Sequence, residues 1–335
     1  MKIVLVGQPN CGKSTIFNHV AGYKAITSNF PGKTVKYSIS KINFQGMTSD
    51  IVDLPGTYSI TSFDLAELEA RKYLLKEEND VIINVIDASL LGRGLELTLQ
   101  LLELNLPIIL CLNMIDEAES KGILIDVDKL SSLLGIPVVT TIAHKGWGLN
   151  KLFETAFKMG QKPIKSKYLA FSKDVEQVIQ KLTEKIENKQ YNQQLNVTNR
   201  FLATKLLEND QHFFNEIKMS DIDFIKIIQN YQKQLEIYRD RSSDEIISSE
   251  RHHLSMQLYE SVVKLSKPKK EIRNYLDSVF MHPIFGYISL FLILYLFFNF
   301  VFYVGSLFEE PLMDFFYQFL PYAEETLGAD SLAYQ

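Results

Sequence analysis

A chain of 335 residues has room for two ordinary domains and excludes a single small disulfide-stapled module. Charged residues at 22% and hydrophobic ones at 46% exclude a chain that is disordered or membrane-embedded from end to end. A net charge of −5 argues against nucleic acid as the main partner, because coating phosphates calls for a basic surface.

In chain order, Ile3 to Val6 is a β-branched and apolar run that stops at Gly7, and Ser14 to Val20 carries helical spacing. This reads as strand, Gly-bounded loop and helix. The segments Tyr37 to Phe44 and Ser49 to Val52, joined through Gln45-Gly46, read as a hairpin that gives one antiparallel edge strand. Further strand-like runs end at Asp53, Asp87, Asn113 and near Thr141. Helix-length stretches lie between them at Leu65 to Lys76, Leu95 to Leu104, Val127 to Leu134 and Leu149 to Lys158. The alternation predicts an α/β domain over residues 1–160, a mostly parallel sheet wrapped by helices.

Gly160 to Lys167 reads as a linker. Residues 161–265 change in texture to Glu, Lys, Gln, Asn, Leu and Ile with helical periodicity, as at Val175, Val178, Ile179, Leu182 and Ile186. Four or five helices are expected, beginning at Ser172, Thr198, Ser220-Asp221 and Ser242, with Ser, Thr and Asp as N-caps. Residues 266–283 form a basic lead-in with Lys267, Lys269, Lys270 and Arg273. Ile284 to Val304 follows with no charge, and about 21 residues at 1.5 Å each cross a hydrocarbon core of roughly 30 Å. Lys and Arg precede this span and none follows it, which places the N-terminal side in the cytoplasm. Residues 305–335, with acids, aromatics and Pro321, read as an interfacial tail on the far side and the start of an incomplete membrane domain.

Several residues carry no expected chemistry. Cys11 and Cys111 lie about a hundred residues apart with no C-x-x-C pairing, so neither a disulfide framework nor a zinc site is expected. A reducing compartment fits, and the apolar run after Met1 is too short for a signal-peptide core. His19, His144, His212, His252, His253 and His282 show no metal-ligand spacing, so no metal site is assigned to them.

The chemistry lies in the first 160 residues. Gly7 to Ser14 matches G-x-x-x-x-G-K-[ST] after a strand and at a helix start, the context of a P-loop. Backbone N–H groups from Gly7 to Thr15, including those of Cys11 and Gly12, would cradle the β-phosphate at the positive end of the helix. Lys13 would reach the β- and γ-phosphates, and the Ser14 hydroxyl would sit on Mg²⁺. Asp53-Leu54-Pro55-Gly56 would bring a carboxylate near that Mg²⁺ and the Gly56 N–H towards the γ-phosphate. Asn113-Met114-Ile115-Asp116 follows another strand, where Asp116 would accept both guanine N1–H and the exocyclic amine. Ile142-Ala143 would present the Ala143 N–H to guanine O6. Thr34 would complete the Mg²⁺ shell as a switch threonine, with Thr27 and Ser28 as nearby alternatives. Lys13, Thr34 and Gly56 are thus candidate catalytic residues, and order and spacing together point to a P-loop GTPase. Thr57 follows Gly56 where many small GTPases place a water-orienting glutamine, so slow hydrolysis or another device is expected.

This combination resembles the ferrous iron transport protein B (FeoB) family. The likeness rests on Gly7 to Ser14, on Asp53 to Ser59 and on Asn113 to Asp116. It extends to Arg200 to Asp210, with Phe201 where the family carries tryptophan, and to Tyr275 to Gly286 before the first membrane helix. The resemblance implies an inner or plasma membrane protein of bacteria that imports Fe²⁺, with GTP hydrolysed to GDP and phosphate. It further implies a helical domain that slows GDP release, a K⁺ ion held by Asn10 beside the phosphates, small Feo accessory proteins as partners, and a homo-oligomer. The lipid bilayer and the later membrane helices of the same transporter are expected partners, and nucleic acid is not. Ile142-Ala143 departs from the family's Ser-Ala, and Asp64-Leu65 from its Asp-Glu. From the residues alone, a membrane-tethered regulatory GTPase that transports nothing stays open as the alternative.

Overall fold

The computed structural model describes residues 1–21, 26–29, 36–44, 46–60, 65–76, 79–164, 166–191, 195, 197–268 and 280–327. It divides into two compact units, Met1–Lys269 and Lys270–Gln335.

In the first unit a seven-stranded sheet is ordered β2-β3-β4-β1-β5-β6-β8, from β1 (Lys2–Gly7), β2 (Ile26–Asn29), β3 (Lys36–Phe44), β4 (Met47–Asp53), β5 (Val81–Asp87), β6 (Ile108–Asn113) and β8 (Val138–Thr140). Strands β4, β1, β5, β6 and β8 pair in parallel. β3 pairs antiparallel with both β4 and β2, so the hairpin strand runs against its neighbours as expected but lies one place in from the edge. A four-residue strand, Ile26–Asn29, takes the edge itself. It was too short for its periodicity to be read from sequence.

The central strands are apolar on both faces, as parallel strands covered by helices must be. On one face Ile3, Leu5, Ile83, Val85 and Ile109 pack with Ile16 and Phe17 of α1 (Lys13–Ala21) and with Leu152, Phe153 and Phe157 of α6 (Leu149–Gln161). On the other, Val4, Val6, Ile82, Leu110 and Leu112 pack with α2 (Leu65–Lys76), α3 (Leu91–Leu102) and α5 (Val127–Leu134). α6 continues through Gly160, so the expected linker begins two residues later. The short α4 (Ile115–Ser120) leads into β7 (Ile123–Ile125).

Among the described residues, the helices that follow are α7 (Lys173–Lys189), α8 (Asn199–Leu207), α9 (Gln211–Ser220), α10 (Ile222–Arg239) and α11 (Ser243–Val262). Thr198 and Asp221 cap α8 and α10 by accepting from Phe201 N at 3.1 Å and Phe224 N at 3.0 Å. Asp210 caps α9, whose start the sequence did not mark, while Ser172 and Ser242 make no side-chain cap bond. Val178, Ile179, Phe201, Phe213, Phe224 and Ile228 belong to the same apolar cluster as the α3 face of the sheet. The helical bundle and the sheet therefore share one core. A final strand, β9 (Val263–Leu265), returns to pair antiparallel with β7.

Buried charge lines this shared seam. Glu103, at the end of α3, is buried beside Arg251, Lys205, Arg200 and Glu208, and its Oε2 makes no hydrogen bond among the described residues. Burial pushes its carboxyl up to about 7, against the pull of the three cations. A raised acid stabilises the fold below its unfolded value of 4.5 and loses that contribution as pH rises through about 7. The melting temperature should therefore fall from about pH 5 to about pH 8 relative to a Glu103→Gln variant. Parallel melting curves for the two proteins across that range would exclude this linkage.

The second unit is described over 280–327. α12 (Phe285–Leu327) opens where His282 Nδ1 accepts from the amides of Ile284 and Phe285 at 3.2 and 3.3 Å. Phe285–Phe319 is long and apolar enough to cross a membrane, and none of its most apolar stretch is buried within the structure. The helix passes through Pro311 and Pro321, where the sequence reading expects an interrupted tail. Each proline removes a single N–H, and the helix continues past both.

Candidate functional site

β1 ends at Gly7 and α1 begins at Lys13, so a short loop must reverse the chain and present the first turn of a helix. Two left-handed residues make the reversal, Asn10 at φ 64° and Gly12 at φ 90°. Gly12 is required twice over, because a Cβ there would also lie 2.1 Å from Asn113 Nδ2. The helix start leaves its first amides unpaired and aimed along the loop, a ready site for an anion. Asn10, Ser14 and Thr15 are exposed at this opening, whereas Cys11 is buried and its thiol pushed up by burial despite Lys13 nearby.

Lys13 is only 7% exposed, with Nζ 3.5 Å from Asp53 Oδ1. The Ser14 hydroxyl donates to Asp53 Oδ2 at 2.9 Å. Asp53 Oδ1 is buried and accepts no hydrogen bond among the described residues. A carboxylate oxygen left in that condition beside a serine hydroxyl suits a hard divalent cation that takes oxygen ligands, and Mg²⁺ fits this donor set. Gly56 lies against the loop: a Cβ on it would meet Pro9 N at 2.9 Å, and the next residue, Thr57, donates its N–H to Gly7 O at 3.0 Å.

At the other end, Asn113 is buried and braced on three sides. Its Nδ2 donates to Cys11 O at 2.9 Å, and its Oδ1 accepts from Thr141 Oγ1 and Ala143 N, each at 3.0 Å. The Ala143 N–H, expected to face a base, is thus directed at Asn113 in this structure. Met114, at φ 58°, turns the chain into α4 and sets Asp116 in its first turn. Asp116 Oδ2 accepts from Lys145 Nζ at 2.9 Å. Burial opposes its ionisation, but the bond and charge of Lys145 prevail and hold the carboxyl below its ordinary range. Ile142 N donates to Trp147 O at 3.0 Å, which closes the loop carrying Ala143. Cys111, two residues before Asn113, is an inert buried thiol pushed up to about 12 by burial.

The structure therefore gathers Gly7, Asn10, Cys11, Gly12, Lys13, Ser14, Thr15, Asp53 and Gly56 at one end of the sheet and Asn113, Met114, Asp116, Ile142 and Ala143 beside them. Both groups lie at the C-terminal ends of parallel strands, where open α/β sheets bind ligands. Thr34 and its alternatives Thr27 and Ser28, as side chains, lie outside the described residues, as does Asp64. Sequence reading missed the brace made by Asn113 and Thr141, and the contact of Lys145 with Asp116.

A P-loop at the end of β1, a D-x-x-G strap lying on it, and an N-x-x-D loop tied to it by Asn113 define a nucleotide-binding G domain. Family models place it further: ferrous iron transport protein B matches residues 1–156, and the FeoB cytosolic helical domain matches 171–264. The chain belongs to the ferrous iron transport protein B family. It is 34% identical over 318 residues to the Fe(2+) transport protein A/Fe(2+) transporter FeoB fusion protein of Porphyromonas gingivalis, covering 91% of this chain and 37% of that protein. With Fe(2+) transporter FeoB of Legionella pneumophila it shares 32% over 315 residues, 92% of this chain and 40% of the relative. The chain thus spans about two fifths of the length of these curated relatives. Among solved structures, a GDP-bound mutant of S. thermophilus NFeoB superposes with a TM-score of 0.72 at 31% identity, covering 79% of this chain and 100% of that one. The GMPPNP form of the T. maritima FeoB cytosolic domain gives 0.67 at 30% identity, with 79% and 99% covered.

Proposed function

We propose that this chain is the GTP-binding and GTP-hydrolysing cytoplasmic portion of a ferrous iron transporter, carried into the bacterial inner or plasma membrane by α12. In this reading Lys13 and the loop amides from Gly7 to Thr15 hold the β- and γ-phosphates. Ser14 and Asp53 hold Mg²⁺ with Thr34, and Gly56 faces the γ-phosphate. Asp116 reads guanine, with the Ala143 N–H turning from Asn113 Oδ1 to O6 when the base binds, while Asn113 holds the two loops in register through Cys11 O and Thr141 Oγ1. Asn10, exposed at the loop's turn, takes a K⁺ ion that offsets charge beside the phosphates. Nucleotide state then regulates or drives Fe²⁺ passage through membrane helices of the same transporter, with small Feo proteins and further copies of the chain as partners.

The observation that carries the reading is the single 2.9 Å bond from Asn113 to Cys11 O, which couples a phosphate-binding turn to a carboxylate placed for guanine. The test is nucleotide binding and turnover by the whole chain in detergent or bilayers. GTP should bind more tightly than ATP and be hydrolysed faster in KCl than in NaCl. Equal affinity for GTP and ATP would end the guanine assignment, and equal rates in the two salts would end the role of Asn10.

A further inference from the structure

The strap that begins at Gly56 has a second anchor, far from the nucleotide loop. Its first residues lie on the P-loop, and its last described residue, Ile60, is buried with both backbone polar atoms engaged by side chains. Ile60 N donates to Gln100 Oε1 of α3 at 2.7 Å, and Ile60 O accepts from Arg71 Nη1 of α2 at 3.4 Å. Gln100 Nε2 also donates to Ser59 Oγ at 3.2 Å.

Each of these two side chains is in turn gripped by the helical domain. Lys205 Nζ, fully buried on α8, donates to Gln100 Oε1 at 3.4 Å and to Glu208 Oε2 at 2.6 Å. Arg71, 1% exposed, pairs with Asp210 Oδ2 at 2.6 Å and lies over the Phe213 ring at 5.2 Å. Glu208 is held further by Arg251 at 2.5 Å. The two grips thus come from one short stretch, Lys205 to Asp210. Beside them is a cavity of about 910 Å³ bordered by Tyr58, Ser59, Gln100, Glu208, Asp210 and Arg251, so the strap is held by polar contacts with open space next to it.

Stability alone is a poor reason for such an arrangement, since buried ion pairs are commonly replaced by apolar residues without loss. We infer that Gln100 and Arg71 are positioning residues through which Lys205 and Asp210 of the helical domain set where the Gly56 strap sits on the nucleotide loop. The inference rests on the reading that Gly56 faces the γ-phosphate. It assigns the coupling between the two domains to a four-residue clasp on the backbone of one residue, Ile60, not to their shared apolar core.

The experiment uses the whole chain and three measurements: GDP affinity, GMPPNP affinity and GTP turnover. Gln100→Leu removes one grip with little change in volume. Asp210→Asn weakens the other while keeping an acceptor for the His212 and Phe213 amides that cap α9. A misplaced strap should reduce GMPPNP affinity and kcat by about tenfold in either variant, with GDP affinity held within about twofold, because GDP has no γ-phosphate for Gly56 to meet. Gln100→Glu keeps the acceptor for Ile60 N and Lys205 and should restore both to within about threefold of the parent. Unchanged GMPPNP affinity and turnover in the first two variants would overturn the inference. So would GDP and GMPPNP affinities falling together, which marks a merely structural role. A parent chain that fails to bind guanine nucleotide at all would instead overturn the proposed function, so the two failures are read separately.

Discussion

Replacing Lys13 by alanine is expected to abolish nucleotide-dependent function. The ammonium is nearly buried and 3.5 Å from Asp53 Oδ1, in a site built to gather phosphate. Its loss removes a cation that no other lysine or arginine among the described residues replaces at Asp53, and leaves the buried Oδ1 of that carboxylate without its counter-charge. Each hydrogen bond from the ammonium to a charged phosphate oxygen contributes about 1.5–3 kcal/mol, so its loss should weaken nucleotide binding by roughly ten- to a hundredfold per bond at 1.4 kcal/mol per decade. On the proposed function, Lys13→Ala in cells that express the gene stably should bring Fe²⁺ accumulation down to that of cells lacking the gene. Unchanged accumulation at equal protein levels would separate nucleotide binding from transport and favour a tethered GTPase that transports nothing. Lys13→Met, which keeps the aliphatic stem, should fail in the same way and so exclude lost packing as the cause.

Asp116→Ala is expected to have the next largest effect, and on selectivity more than on affinity for phosphate. The carboxylate is kept ionised by Lys145 and partly open to solvent, so it can accept two N–H donors from one edge of a base. Hydrogen bonds to a charged group contribute about 1.5–3 kcal/mol each, so losing two should reduce the preference for GTP over ATP by on the order of a hundredfold or more. ATP affinity itself should change little. Competition of unlabelled GTP and ATP against a fluorescent nucleotide reads the ratio directly, and a ratio equal to that of the parent chain would remove Asp116 from base recognition. Lys145→Ala separates the two roles of the loop, since it frees Asp116 of its present partner without removing the acceptor.

The parts of this molecule that sequence made legible are those whose physics is local. Ile3 to Gly7, the loop that follows and the first turn of α1 could be placed because glycine, lysine and serine at fixed spacing have few other reasons to occur after a strand. Asp53 and Asp116 were legible for the same reason. The edge strand Ile26–Asn29, the three-residue β7 and β9, and the six-residue α4 were not, because a period cannot be read from so few residues. The α9 start at Asp210 was hidden by its closeness to the end of α8. Within the site, Asn113 could be placed but its work could not, since its three partners are a carbonyl, a hydroxyl and an amide from distant loops. Gln100 and Arg71 grip the backbone of Ile60, and a backbone partner has no identity that a sequence pattern can display. Their helical-domain anchors lie more than a hundred residues away.

The β7–β9 ladder bears on how the protein is made. Ile123 must wait for Leu265, with the whole helical bundle synthesised between them. At about 5–20 residues per second, the partner strand leaves the ribosome on the order of ten seconds after β7 does. Through that interval the nascent G domain has an unpaired strand beside α4 and an uncovered apolar face on α3. Closing a loop of that length is also entropically slow to nucleate. Closure of the helical bundle onto the sheet domain and emergence of the long apolar helix α12 are therefore nearly the same moment of synthesis. A nascent chain whose helical bundle has just closed on the sheet is one whose long apolar helix is the next element to emerge.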